Sequence, residues 1–227
     1  MTTTQKTNSA QAKDTKAMRI LIVDDHAIVR RGLRQILTDA FPNAVFGETA
    51  SADETLQKVE EFLWDIIILD ISMQGKNGLD VLKQLRPKFP KLPVLVLSVH
   101  AEEQYAMRAF KAGANGYMTK ETAPEKLIEA VQHVMTGRPY ISASLAERLV
   151  MEMSTTDTPL RKLDNLSDRE LQVLQRFAAG KTMTAIGIEL GLSIKTVSTY
   201  RSRAMEKLGL ANNADLMRFA IEEGLPD

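Results

Sequence analysis

Apolar positions along the chain fall into short runs separated by stretches of helical period. Ile20–Val23 stops abruptly at Asp24-Asp25, Ile66–Leu69 at Asp70, and Val94–Leu97 at Ser98. Runs this short and apolar at every position read as strands buried on both faces, as in a parallel sheet covered by helices. Ala44–Phe46 and Gly116–Met118 are weaker strand candidates. Between them, Ile28, Val29, Leu33, Ile36 and Leu37 recur at helical spacing. Ser51-Ala52-Asp53-Glu54 and Thr122-Ala123-Pro124-Glu125 are capping-box patterns, the second with Pro124 in the first turn, and Gly137 is placed to end that helix. Strand and helix alternate five times between Arg19 and Gly137. The pattern predicts an α/β domain built on a doubly wound, five-stranded parallel sheet.

Beyond Gly137 the pattern changes. Ser142–Met153 reads as one amphipathic helix with Leu145 and Leu149 on a face, and Ser154–Pro159 as a polar linker. From Leu166 only helices are predicted. Ser167-Asp168-Arg169-Glu170 is a third capping box with Gly180 ending its helix. Thr182 opens a short helix that stops at Gly191, Ser193 caps a longer one to Leu208, and Asn212 or Asn213 caps the last. The tight turn between Gly191 and Ser193 gives a helix-turn-helix layout with Ser193–Leu208 as recognition helix. Residues Met1–Ala17 have almost nothing to bury and read as a disordered tail. The predicted division is a tail over 1–17, an α/β domain over 18–137, a linker with one helix over 138–163 and a small all-α domain over 164–227.

Composition narrows the classes. The 227 residues carry 29 basic and 29 acidic side chains, so any nucleic-acid surface must be local. The absence of cysteine excludes disulfides, thiolate zinc sites and cysteine nucleophiles, and fits a reducing compartment. No apolar run is long enough to span a bilayer, and the N-terminus lacks the apolar core of a secretory signal. The expectation is a cytoplasmic protein with no membrane association.

The strand C-termini of a parallel sheet share one edge, where ligands bind. Asp24, Asp25, Asp70 and Ser98 all end strands, and Lys120 follows the fifth, so these groups converge although scattered in sequence. Three carboxylates brought together repel unless a cation joins them, and hard oxygen ligands suit Mg2+. A carboxylate beside a divalent ion and an ammonium can attack phosphorus and hold an acyl phosphate. His26 and His100 border the cluster and read as solvated loop residues.

The stretches LIVDDH, ILDISMQGKNGLDVL, VLVLSVH and GANGYMTK, in this order and at this spacing, resemble the response-regulator receiver domain of two-component systems, a flavodoxin-like fold, over Met18 to about Gly137. The resemblance implies Asp70 as phosphoacceptor and Asp24 and Asp25 as Mg2+ holders, with the backbone carbonyl of Ser72 as a further ligand. It implies Ser98 as switch hydroxyl, Lys120 as phosphate-contacting lysine and Tyr117 as the aromatic that swings with Ser98. Two positions depart from it: Gln74 and Glu121 stand where receivers often carry proline.

In the C-terminal domain the Ser193–Leu208 helix has four bases and one acid, although Asp164–Asp227 as a whole has eight bases and nine acids. Such a stripe suits contact with DNA phosphates. Val197, Ala204 and Leu208 face the core by spacing. Lys195, Ser198, Thr199 and Ser202 share another face, assigned to the major groove, while Thr196, Arg203, Lys207, Lys181 and Thr182 are assigned to phosphates. LSDRE and KTVSTYRSR…KLGL resemble the LuxR-type DNA-binding domain over Leu166 to Leu225. A receiver followed by this domain is similar to the NarL/FixJ family of response regulators. That family implies a transcription factor rather than an enzyme, switched by a sensor histidine kinase, with release or dimerisation of the DNA-binding domain as the output, a homodimer on double-stranded DNA when phosphorylated, and RNA polymerase as a further partner. The rival reading, a Mg2+-dependent phosphohydrolase, wants an Asp-x-Asp motif at the first strand, where this chain has adjacent Asp24-Asp25. A third reading is a regulator that binds DNA without phosphorylation.

Overall fold

A computed structural model describes residues 17–73, 77–100, 102–143, 145–147, 162–223 and 225. The tail before residue 17, Gln74, most of the predicted 142–153 helix and the polar linker lie outside them.

Five strands, β1 (Arg19–Val23), β2 (Val45–Thr49), β3 (Ile66–Asp70), β4 (Val94–Ser98) and β5 (Gly116–Thr119), alternate with α1 (Ala27–Ala40), α2 (Ala52–Glu61), α3 (Gly78–Leu85), α4 (Glu102–Lys111) and α5 (Ala123–Met135). All strand pairs are parallel, in the order β2-β1-β3-β4-β5. The doubly wound five-stranded sheet is therefore present. Alternate side chains separate its two faces. Ile20, Ile22, Ile66, Ile68, Leu95 and Leu97 pack with Leu33 and Leu37 of α1 and Leu127, Val131 and Val134 of α5. Leu21, Val23, Ile67, Leu69, Val94 and Val96 pack with Val59 of α2, Leu79 and Leu82 of α3 and Tyr105 and Ala109 of α4.

Local details differ from the sequence pattern in physical ways. The second strand is Val45–Thr49, not Ala44–Phe46. It is an edge strand holding Gly47, where a Cβ would meet the Trp64 ring at 2.2 Å. The glycine leaves room for the indole and removes an apolar marker from the strand. Ser51 caps α2 as expected, accepting from the Glu54 amide. Thr122 does not form its predicted box: it sits in αR conformation and its hydroxyl donates back to the Thr119 carbonyl.

The C-terminal helices are α6 (Asp168–Ala178), α7 (Met183–Leu190), α8 (Ile194–Leu208) and α9 (Asn213–Glu222). Ser167, Thr182, Ser193 and Asn212 all accept the expected capping hydrogen bonds. Gly191 ends α7 at φ 64°. Gly187 is packed tightly against the turn: a Cβ there would lie 2.7 Å from the Leu192 carbonyl oxygen. Val173, Ile186, Leu190 and Val197 form the small core that fixes α7 against α8.

Candidate functional site

The strand order reverses between β1 and β3, and the crevice at their C-terminal ends holds the acidic cluster. Val23 pairs with Leu69, so Asp24 and Asp70 stand side by side one step beyond. Both are almost wholly buried, while Asp25 is partly exposed. One ligand atom each from Asp24, Asp25, His26 and Asp70 can be chosen so that all lie within 4.8 Å of one another. Lys120 Nζ reaches in from the β5–α5 turn to 2.6 Å from Asp24 Oδ2 and 2.7 Å from Asp70 Oδ2. It does so with Glu121, not proline, following it. The Ser72 amide donates to Asp70 Oδ1 at 2.9 Å, which holds the residue expected to offer its carbonyl against the carboxylate.

Burial raises the Asp70 pKa. Lys120 works against that rise and the Asp24 charge adds to it. Burial works the other way on Lys120, but Asp70 and Asp24 outweigh it and the ammonium pKa is raised. Three carboxylates facing one ammonium leave the crevice anionic, with hard oxygen donors. That donor set fits a Mg2+ ion.

Ser98 is the last residue of β4 and fully buried. Its Oγ accepts from the His100 amide at 2.9 Å, and its carbonyl accepts from the Lys120 amide at 2.7 Å. Tyr117 is buried with its hydroxyl on the His100 carbonyl at 2.9 Å. His26 is exposed with Nδ1 2.7 Å from Asp25 Oδ1. His100 departs from its expectation as a solvated residue: its ring stacks on Tyr105, centroids 4.6 Å apart at 18°.

Pattern reading passed over two contributors. Arg30 Nη1 donates to the Asp24 carbonyl at 2.6 Å, tying α1 to the crevice. Gly78, inside the GKNGLDVL stretch, starts α3 hard against β3, where a Cβ would lie 2.2 Å from the Asp70 carbonyl oxygen. Only glycine lets α3 begin there.

On the C-terminal domain, Lys195, Ser198, Thr199, Ser202 and Arg203 line one groove together with Met183, Ile194 and Glu206. The helical spacing thus brings the predicted reading face together. It did not flag Met183, partly buried against the small core, or the exposed Ile194, because a single apolar residue at the start of a helix carries no periodic signal. Lys181 is bound to Glu189 at 2.8 Å and Lys207 to Glu170 at 2.7 Å. Among the described residues, Lys195 and Arg203 have no carboxylate partner. Thr182 and Thr196 are taken up in caps, Thr182 accepting from Ala185 and Thr196 joined to the Ser193 hydroxyl. Tyr200 packs against the α7–α8 core, and Arg201 lies over the Phe177 ring.

Glu170 clasps this domain. Its carboxylate accepts from the Ser167 amide and from Lys207, both at 2.7 Å, and is nearly buried. Burial disfavours its charge, but the Lys207 and Ser167 hydrogen bonds prevail and its pKa is lowered. A lowered folded-state pKa stabilises above the ordinary carboxylate range and is lost as pH falls through it. Glu170→Ala is therefore expected to cost about 1–3 kcal/mol at pH 7. In thermal unfolding the gap from wild type should shrink on acidification through that range. A gap independent of pH would show that the Glu170 charge is not what stabilises the domain.

With this geometry in view, the protein is a DNA-binding response regulator of a two-component system. Residues 20–132 match the response regulator receiver domain and residues 164–220 match the bacterial regulatory proteins of the luxR family. The response regulator GacA of Pseudomonas viridiflava is 33% identical over 210 residues, covering 92% of this chain and 98% of the relative. RcsB, solved as two dimers bound to two parallel DNAs, is 28% identical with a TM-score of 0.54, over 90% of this chain and 98% of that one. RcsB of Salmonella enterica serovar Typhimurium, bound to promoter rprA in the presence of phosphomimetic BeF3−, is 27% identical with a TM-score of 0.59 over 90% and 98%. The chain belongs to the NarL/FixJ family of response regulators, which join a receiver to a LuxR-type DNA-binding domain. Receivers of this kind bind Mg2+ at an acidic pocket and imply a histidine kinase partner. Among the described residues, no helix is long and apolar enough to cross a membrane.

Proposed function

We propose that Asp70 accepts a phosphoryl group from a sensor histidine kinase and that this switches a cytoplasmic transcription factor between two DNA-binding states. The observation that carries the reading is the convergence of Asp24, Asp25, Asp70 and Lys120 at the β1–β3 crevice. An Asp70 oxygen attacks phosphorus as the bond from phosphorus to the donor's nitrogen breaks. Burial makes that oxygen more basic than an ordinary carboxylate, and Lys120 holds it in place. Asp24, Asp25, Asp70 and the Ser72 carbonyl would hold Mg2+, which neutralises phosphoryl charge when bound. Once Asp70 is modified, Lys120 and the Ser98 hydroxyl are the donors at hand for the new oxygens.

The output rests on the recognition helix. Lys195, Ser198, Thr199 and Ser202 read base edges while Arg203 meets phosphate, with Lys181, Thr182, Thr196 and Lys207 at the flanks. Ile194, half exposed at the helix start, adds an apolar contact suited to a thymine methyl group. Phosphorylated chains pair as a homodimer on two half-sites, for which the exposed Met217 and Ile221 of α9 supply apolar area, and the bound dimer engages RNA polymerase.

Two measurements bear on this reading. Acetyl phosphate with Mg2+ should raise dimer mass in sedimentation and DNA affinity together, by about 1–3 kcal/mol of coupling. Identical mass and affinity with and without phosphorylation would favour the phosphorylation-independent regulator. Mg2+ at about 100 times its dissociation constant should add about 2.7 kcal/mol to receiver stability. Asp25→Asn should lose most of that gain. Because the Asp70 pKa is raised, protons compete more strongly there, so Mg2+ binding should weaken as the solution is acidified. Equal melting temperatures in Mg2+ and in chelator would remove the metal from the site.

A further inference from the structure

His26 is the N-cap of α1. Serine, threonine, aspartate and asparagine favour that position because their side chains accept a free amide of the first turn. The His26 imidazole makes no such capping hydrogen bond. It is turned to the crevice instead, with Nδ1 2.7 Å from Asp25 Oδ1 and 3.3 Å from Asp24 Oδ1. The backbone at this point is held on both sides. The His26 amide donates to Asp24 Oδ1 at 2.8 Å, and the His26 carbonyl accepts from the Arg30 amide at 3.1 Å.

Asp24 gives the crevice two poles. Its Oδ2 is held by Lys120, which meets Asp70 Oδ2 on the same side, while its Oδ1 faces His26. The ligand atoms of Asp24, Asp25, His26 and Asp70 that lie within 4.8 Å of one another are close to the spacing a shared ion requires. Donors about 2.1 Å from one ion stand about 3 to 4.2 Å apart in an octahedral shell. The imidazole is exposed. One ring nitrogen can therefore keep its proton in water while the other offers a lone pair to a cation among the carboxylates.

We propose that His26 is a further protein ligand at the crevice and makes it a site for a divalent transition ion of the Zn2+ and Co2+ kind, held more tightly than Mg2+. Mg2+ gains little from a nitrogen donor, whereas imidazole suits the later first-row ions. The three carboxylates supply charge for either ion, and His26 supplies the preference. Both ions use the same oxygens, so they compete for one place. The receiver is in this way open to the supply of transition metal as well as to its kinase. The inference rests on the Mg2+ site proposed above for the carboxylates and adds the ligand that selects the ion.

The test uses the full chain, stripped of metal and free of any affinity tag. Co2+ and Mg2+ affinities are measured by calorimetry at one fixed pH. His26→Gln keeps an exposed polar side chain at the N-cap and removes the imidazole. It should weaken Co2+ binding at least about tenfold, since even an outer-shell partner is worth that much. Mg2+ binding should change by less than about twofold. In proton NMR, the Co2+-loaded wild type should show a strongly shifted, exchangeable imidazole N–H that His26→Gln lacks. His100→Gln, at the other histidine bordering the crevice, should keep that signal. Co2+ bound to wild type without the signal would overturn His26 as a ligand. So would equal loss of Co2+ and Mg2+ affinity in His26→Gln, which is what a merely structural role in steadying Asp25 would give. Wild type that binds Mg2+ but holds Co2+ no more tightly overturns the preference and leaves the Mg2+ reading standing. Wild type that binds neither ion overturns both.

Discussion

Asp70→Asn is expected to reduce phosphoryl incorporation from acetyl phosphate by about 100-fold or more, below one detectable group per chain. An amide keeps the Ser72 amide's acceptor at 2.9 Å and the shape of the buried side chain, so the fold is retained. It does not keep the nucleophilic carboxylate. Asp24 is no substitute. It is buried, its Oδ1 accepts from the His26 amide at 2.8 Å, and its Oδ2 is held by Lys120 at 2.6 Å. In wild type the product should be an acyl phosphate, stable in acid and labile in base. Undiminished labelling of Asp70→Asn, mapped by mass spectrometry, would take the role from Asp70.

The convergence behind that prediction was legible in the chain because the strands of this sheet are buried on both faces, while the choice of Asp70 among the carboxylates came from the resemblance to receiver domains. Burial on both faces forces unbroken apolar runs, and each run stops where the polypeptide meets the crevice. The stopping residues, Asp24, Asp70 and Ser98, are therefore both the end of the hydrophobic signal and the chemistry. The ladder runs one residue further than the apolar run at Asp70 and Ser98, since backbone pairing does not depend on side-chain polarity. At the edge strand β2 the signal failed, because Val45 is half exposed and Gly47 and Glu48 interrupt the run. Helix caps were legible at Ser51, Ser167, Thr182 and Ser193, where the donor is three residues away. Thr122 shows the limit, since its hydroxyl has a competing acceptor in the preceding turn.

What joins the two domains left no trace in the pattern. Tyr105 and Gln175 are 70 positions apart, and each by itself reads as an ordinary helical residue. Asp168 looks like part of a capping motif and is spent on Lys83 and Arg108 instead. His100 reads as a loop histidine until its neighbour across the stack is known. Contacts of this kind are set by the relative placement of elements, which periodicity does not encode. The same holds for Lys181 and Lys207, whose charges are met by Glu189 and Glu170 in the fold.

Those internal pairs sharpen what mutation of the DNA-binding face should show. Arg203 is exposed and has no carboxylate partner among the described residues, so its charge is available to a phosphate. Arg203→Ala should weaken binding to a duplex selected from a random pool and to scrambled duplex by a similar factor. It should make log K less steep against log salt by roughly 0.9 for the lost contact. Lys207→Ala should change that slope less, because its ammonium is already held by Glu170 at 2.7 Å. Lys195→Ala should instead narrow the gap between selected and scrambled DNA by about 1–3 kcal/mol, the worth of a base-edge contact. Thr199 donates its hydroxyl to the Lys195 carbonyl at 2.9 Å, so it meets DNA through its methyl or as an acceptor. Thr199→Val keeps the methyl and removes the acceptor. Retained discrimination in Thr199→Val with loss in Thr199→Ala would assign the methyl. Titrations of all five variants at several salt concentrations decide the faces. If Arg203→Ala erases sequence preference while Lys195→Ala and Thr199→Ala preserve it, the reading face and the phosphate face are the reverse of those assigned.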